Sequence, residues 1–129
     1  MIRMAVLAMG VTLLGVAQAA AESHLDHVLK RLEPDSRFNQ VCDMAAMAAI
    51  GKSEAGLRPD RAMLDAAGPV KRVGDTATGE GAVIRSKGHW YGLSFVCETT
   101  PDRMRVRSFD YKLLGEIPQS KWEELGLWR

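Results

Sequence analysis

His89-Trp90-Tyr91-Gly92-Leu93-Ser94-Phe95-Val96-Cys97-Glu98 carries the clearest structural signal in the chain. Successive side chains of an extended strand point to opposite faces, so Tyr91, Leu93, Phe95 and Cys97 share one face. That face is the predicted core face, and Cys97 lies on it. Trp90, Ser94 and Val96 then look the other way.

Working upstream, Lys87-Gly88 reads as a hairpin reversal that joins this strand to another over 82–86. Gly79 and Gly81 bracket a predicted turn before it. Val70 to Val73 is a short strand, closed by Gly74-Asp75. Downstream, 99–102 turns the chain into a strand over 103–113. Met104 and Val106 are even positions there, whereas Phe109, Tyr111 and Leu113 are odd. One extra residue near Arg107-Ser108, a β-bulge, keeps all five on the buried side. Ser120-Lys121-Trp122-Glu123 has the pattern of a capping box and opens a short helix, with Gly126 at its end. Trp122, Leu125 and Trp128 can then cover one end of the sheet.

Before the strands come helices. Leu25, Val28, Leu29 and Leu32 recur at helical spacing and predict a helix over 22–32, which Pro34 breaks. Asp35 is positioned to cap a second helix running to about Ile50. Its apolar stripe reads Phe38, Val41, Cys42, Ala45 and Ala49. A third, short helix is predicted over 60–67, stopped by Gly68-Pro69. The sum is an α+β fold: N-terminal helices on an antiparallel meander of three or four strands, then a small helix.

Cys42 faces inward from its helix and Cys97 faces inward from its strand. An even cysteine count in a small exported chain reads as a disulfide. The spacing matches no zinc pattern, and the absence of a C-x-x-C partner argues against a redox thiol.

Export is read from the N-terminus. Arg3 is the only charge before Glu22, and between them runs an apolar stretch ending in small residues. This is the layout of a secretory signal peptide, with Ala17-Gln18-Ala19 as the cleavage pattern. The expected leader is 1–19, with 21 as the alternative end, and 20–129 forms one domain. The stretch is also just long enough to remain as an uncleaved inner-membrane anchor. No cysteine follows it, which disfavours a lipoprotein. Loss of Arg3 takes 17 basic residues to 16, against 16 acidic ones. A neutral domain lacks the electrostatic footprint of nucleic-acid binding.

Motifs for chemistry are sparse, and none points to a cofactor or a metal. His24 and His27 sit one helical turn apart without a third ligand, and read as solvated. His89 has a side chain suited to proton transfer but no partner nearby in sequence. Ser94 lacks the closing glycine of a nucleophile elbow. Gly79-x-Gly81 lacks the third glycine of a dinucleotide loop. The most suggestive feature is a basic row. Arg103, Arg105 and Arg107 alternate along one predicted strand, as do Arg85 and Lys87 along another. With an exposed Trp90 beside them, they form the candidate anion or partner site. The plainer reading is a solvated face whose charges discourage edge pairing.

The segments FNQVCDMAAMAAI from Phe38, Pro59-Asp60-Arg61, GAVIRSKGHWYGLSFVCETTPDRMRVRSFDYKLLGEIP and the terminal WEELGLWR resemble domain-of-unknown-function family 930. The resemblance implies membership of a bacterial, mainly alphaproteobacterial, group with no established activity, cofactor or catalytic residue. Some larger members join this domain to a membrane anchor and a proline-rich stretch, which implies an envelope role.

The leading expectation is a non-catalytic periplasmic binding domain that takes an envelope protein or acidic glycan on its outer sheet face. The alternatives are a periplasmic hydrolase of cell-wall material, using His89 with Asp110 or Glu98, and a structural envelope component.

Overall fold

The computed structural model describes residues 24–129, so the predicted leader and both cleavage sites lie outside the described residues. Residues 24–31 form helix α1. Helix α2 spans Pro34–Ser53, followed by strands β1 (Pro59–Met63), β2 (Val70–Val73), β3 (Thr76–Ser86), β4 (His89–Thr99) and β5 (Val106–Glu116). A 3-10 turn at Gln119–Lys121 leads into helix α3, Trp122–Leu125. The chain is α+β, as its residue pattern predicts.

The quoted strand is the centre of the sheet. β4 pairs antiparallel with β3 on one side and β5 on the other. Leu93, Phe95 and Cys97 are buried on the face that meets α2, with Tyr91 partly buried beside them. Lys87 and Gly88 both have positive φ, which a two-residue reversal matched to the strand twist requires. The bulge near Arg107 is present: Glu98 pairs with Ser108 and Thr99 with Val106, leaving Arg107 as the extra residue.

Several elements differ from the sequence reading. Residues 60–67 do not form a helix; β1 pairs there with the open edge of β3, and Ala62 and Leu64 alternate into the core. A five-residue strand beginning at Pro59 pairs with the free edge of β3, which a two-turn helix over 60–67 would leave unpaired. Gly79 and Gly81 make no turn, because β3 runs through them with a bulge between Gly79 and Ala82. A Cβ on Gly81 would collide with the backbone of Ala67 and Gly68, so these glycines serve close approach. β1 and β2 lie end to end along this same edge of β3, and the 64–69 loop crosses the gap between them.

Pro34 does break the first helix, but it also starts the second, where a missing N–H costs nothing. Asp35 makes no cap there. The buried stripe of α2 is Phe38, Val41, Cys42, Ala46 and Ile50. It follows strict i+4 steps beyond Cys42, so Ala45 and Ala49 sit only at its margin. Val28 is likewise 44% exposed, off the buried side of α1. The carbonyls at the end of α1 are met by Arg37, which donates to Leu29 O (2.9 Å) and Leu32 O (3.1 Å) and also reaches Asp102 O (3.0 Å).

Cys42 and Cys97 form the disulfide, with Cα atoms 6.2 Å apart, stapling α2 to β4. The outer sheet face has a cover of its own. Val83 and Trp90 pack there against Trp122 and Leu127 of the C-terminal tail. The predicted capping box does not form; neither the 3-10 turn nor α3 has a side-chain cap. Gly126, with φ +69, ends α3 as its αL residue, and the indoles of Trp90 and Trp122 donate to Trp128 O and Ile117 O.

Candidate functional site

The predicted basic row is taken apart by the fold. Arg103 and Arg105 are not in a strand, since β5 begins only at Val106. The chain turns through 101–105, and Arg103 itself has φ +61. Each cation at this end then finds an acid. Arg103 donates to Asp35 (2.7 Å), as does Arg72 from β2. Arg105 pairs with Asp26, and Arg107 stands 4.0 Å from Glu98. Arg103 first, and then Arg72, hold the Asp35 carboxyl below its usual range.

Of the other half of the row only Lys87 stays exposed without an ion-pair partner among the described residues, and other cations gather near it. Arg85 forks onto both oxygens of Asp60 at 2.9 Å, which lowers that carboxyl. Its guanidinium lies 5.7 Å from the ring centres of both Trp90 and Trp128. Trp90 is fully buried, so it is a packing residue rather than an exposed contact. The exposed indole is Trp128, edge-on to Trp90 at 5.5 Å and 46% accessible. Arg61 stands 6.0 Å from it. Arg58, whose N–H donates to Ser86 Oγ, and Lys87 in the hairpin are exposed close by. Among the described residues no acid forms an ion pair with Arg58, Arg61 or Lys87. This corner therefore carries three exposed cations without an ion-pair partner among the described residues, with Arg61 beside the exposed aromatic ring and within the field of Asp60.

The proposed acid–base residues do not converge. His89 opens β4 and Glu98 stands near its far end, roughly 30 Å away by strand rise. Asp110 faces Val96 across the β4–β5 ladder, several residues from His89. His89 Nδ1 instead meets Glu116 Oε1 at 2.6 Å on the exposed surface. His24 and His27 are exposed, His27 contacting Arg31. Among the described residues no group of three or more His, Cys, Asp or Glu could hold a metal ion, and no helix is long and apolar enough to cross a membrane.

Two depressions flank the 64–69 loop. The outer one is an open trough of about 800 Å³ that includes Thr78, Ser94 and Val96. Lys71 and Lys112 balance Glu80 and Asp110 there, so it is the larger hollow without a directed field. The inner one, about 470 Å³, lies between α2 and the loop and is lined by Asn39, Asp43, Asp65 and Arg72. Burial, and then the charge of Asp65, push the Asp43 carboxyl up to about 7. Asp43 Oδ1 and Arg72 Nε are buried without a hydrogen-bond partner. Arg72 is otherwise committed: its ring-stacked guanidinium sits 4.3 Å from the centre of Phe38 and donates to Asp35 and Asn39.

The profile of DUF930, a Domain of Unknown Function, matches residues 29–127. The chain belongs to this family. No curated protein and no solved structure matches the chain. The span matched to DUF930 holds both cysteines, the cationic corner except Trp128, and the pair Asp43 and Asp65.

Sequence reasoning missed Arg58, Arg61 and Trp128 as neighbours within this DUF930 fold, because β1 was read as helix. It also missed Asp43. One signal was legible: Asp35, Asn39 and Asp43 recur every four residues along α2, a polar edge beside the apolar stripe.

Proposed function

We propose that this DUF930 chain is an exported periplasmic domain that binds an acidic glycan of the envelope through the corner around Trp128. The observation that carries this reading is the set of Arg58, Arg61 and Lys87, exposed and without an ion-pair partner among the described residues, at the corner that holds the accessible indole. Guanidinium groups match carboxylates in planar, two-point contacts, and Arg and Trp are the residues most often dominant in recognition. The apolar, small-residue-ended leader and the helix-to-strand disulfide support an oxidising compartment outside the cytoplasm.

The test uses immobilised polygalacturonate, with dextran as the neutral control. Wild type should be retained on the first alone and released by salt, since exposed charges are screened. The triple substitution of Arg58, Arg61 and Lys87 by Gln should weaken retention by at least about tenfold. Matching substitutions of Arg103, Arg105 and Arg107 to Gln should leave it nearly unchanged. Full retention by a folded corner mutant, judged by circular dichroism, would sink the reading.

A further inference from the structure

We propose that the cavity between α2 and the 64–69 loop binds a small molecule carrying a primary ammonium group with an oxygen acceptor close to it. The site is separate from the cationic corner and does not depend on it.

Charge bookkeeping around the cavity leads there. Asp35, at the start of α2, is engaged by Arg72 from β2 and by Arg103 from the 101–105 turn. Arg72 is engaged in return by Asp35 and by Asn39. Asp43 and Asp65 are left over: among the described residues neither forms an ion pair. Asp43 faces α2's own Asn39, the loop's Asp65 and β2's Arg72 across the same hollow. A buried polar atom without a partner is rare in a folded chain, and two orphans of opposite kind belong to residues of this one cavity. Asp43 Oδ1 lacks a donor, and Arg72 Nε lacks an acceptor.

An ammonium group answers the first need. It offers three donors and a positive charge to two carboxylates that repel one another. An oxygen near the nitrogen answers the second. A bare metal ion answers less well, because the two carboxylates have no third acidic, His or Cys side chain to complete a coordination shell. The volume, about 470 Å³, also lies in the range of small-molecule pockets rather than ion sites.

Ethanolamine is the probe, since it carries both groups, and N-acetylethanolamine is its uncharged control. Calorimetric titration of the intact domain should show binding of ethanolamine but not of the acetylated control. Binding requires the ionised form of Asp43, whose carboxyl sits at about 7, so affinity should be about thirtyfold weaker near pH 5.5 than near pH 8. Asp43→Asn should weaken binding about as much near pH 8 and flatten the pH profile. Asp65→Asn should weaken binding but keep a pH-dependence, its midpoint moved down because the Asp65 charge helps hold the Asp43 carboxyl up, whereas Asp43→Asn abolishes it; this distinguishes the two carboxylates. Equal binding of N-acetylethanolamine overturns the proposal. So does failure of ethanolamine to bind the folded wild type, or tighter binding of Ca²⁺ alone.

Discussion

The two ends of the sheet treat positive charge in opposite ways. Where β4 passes into β5, Arg103, Arg105 and Arg107 each stand beside an acid, and Arg72 shares Asp35 with Arg103. At the β3–β4 hairpin, Arg85 is paired with Asp60 and His89 meets Glu116, while among the described residues no acid forms an ion pair with Arg58, Arg61 or Lys87. Both ends look equally basic as sequence. The difference arises because α1 and α2 bring Asp26 and Asp35 to the first end, whereas among the described residues no helix brings the second an acid that pairs with Arg58, Arg61 or Lys87. A cation held by a neighbouring element is part of the scaffold; a cation without one is available to a partner.

If that contrast is right, the paired end should also be the mechanically secured end. Cys97 pairs across the ladder with Phe109 near it, and its disulfide closes a separation of 55 residues. Replacing Cys42 and Cys97 by Ser should cost about 4 kcal/mol in urea unfolding. Amide exchange should rise more at the β4–β5 turn than at the β3–β4 hairpin. Equal rises at both ends would break the comparison.

A smaller effect concerns Asp43, a partly buried acid without an ion-pair partner among the described residues. The folded-state carboxyl of Asp43 titrates at about 7, above its unfolded value of 3.8. Between those values the folded chain holds more protons, so stability falls as pH rises from about 4 to about 7 and then levels. Asp43→Asn should therefore stabilise the domain near pH 8 by about 1–2 kcal/mol after allowance for partial exposure. Near pH 4 it should change little. Thermal unfolding at both pH values checks this, and a destabilised variant near pH 8 would show an unrecognised partner for Asp43.

The smallest effect compares single arginines. Arg103→Gln loosens the shared contact at Asp35 and its packing over Phe38, 5.5 Å away, so the melting temperature should drop by a few degrees. Arg58→Gln should leave it unchanged. Identical melting shifts for the two would mean that the paired arginines are as dispensable to the scaffold as the unpaired ones.

The comparison also shows where sequence reading succeeds. Period-two alternation from Tyr91 to Cys97 located the central strand, and the parity slip between Val106 and Phe109 located the bulge. Both are local consequences of one buried face. The helix predicted over 60–67 fails because eight residues are too few to distinguish a strand from a short helix by period, and the free edge of β3 decides the matter. Gly79 and Gly81 were misread for a related reason. Glycine marks both turns and close approaches, and only the position of Gly68 shows which applies here.

The sequence by itself determined the α+β order of elements, the inward faces of Cys42 and Cys97, and the resemblance that the DUF930 match bears out. Each follows from short-range periodicity or from residue identity. The tertiary structure alone decided which charges are neutralised, that Trp90 is buried while Trp128 is exposed, and that Asp43 meets Asp65 over a cavity. Those facts depend on electrostatic and packing contacts between residues distant in the chain, which no local pattern encodes.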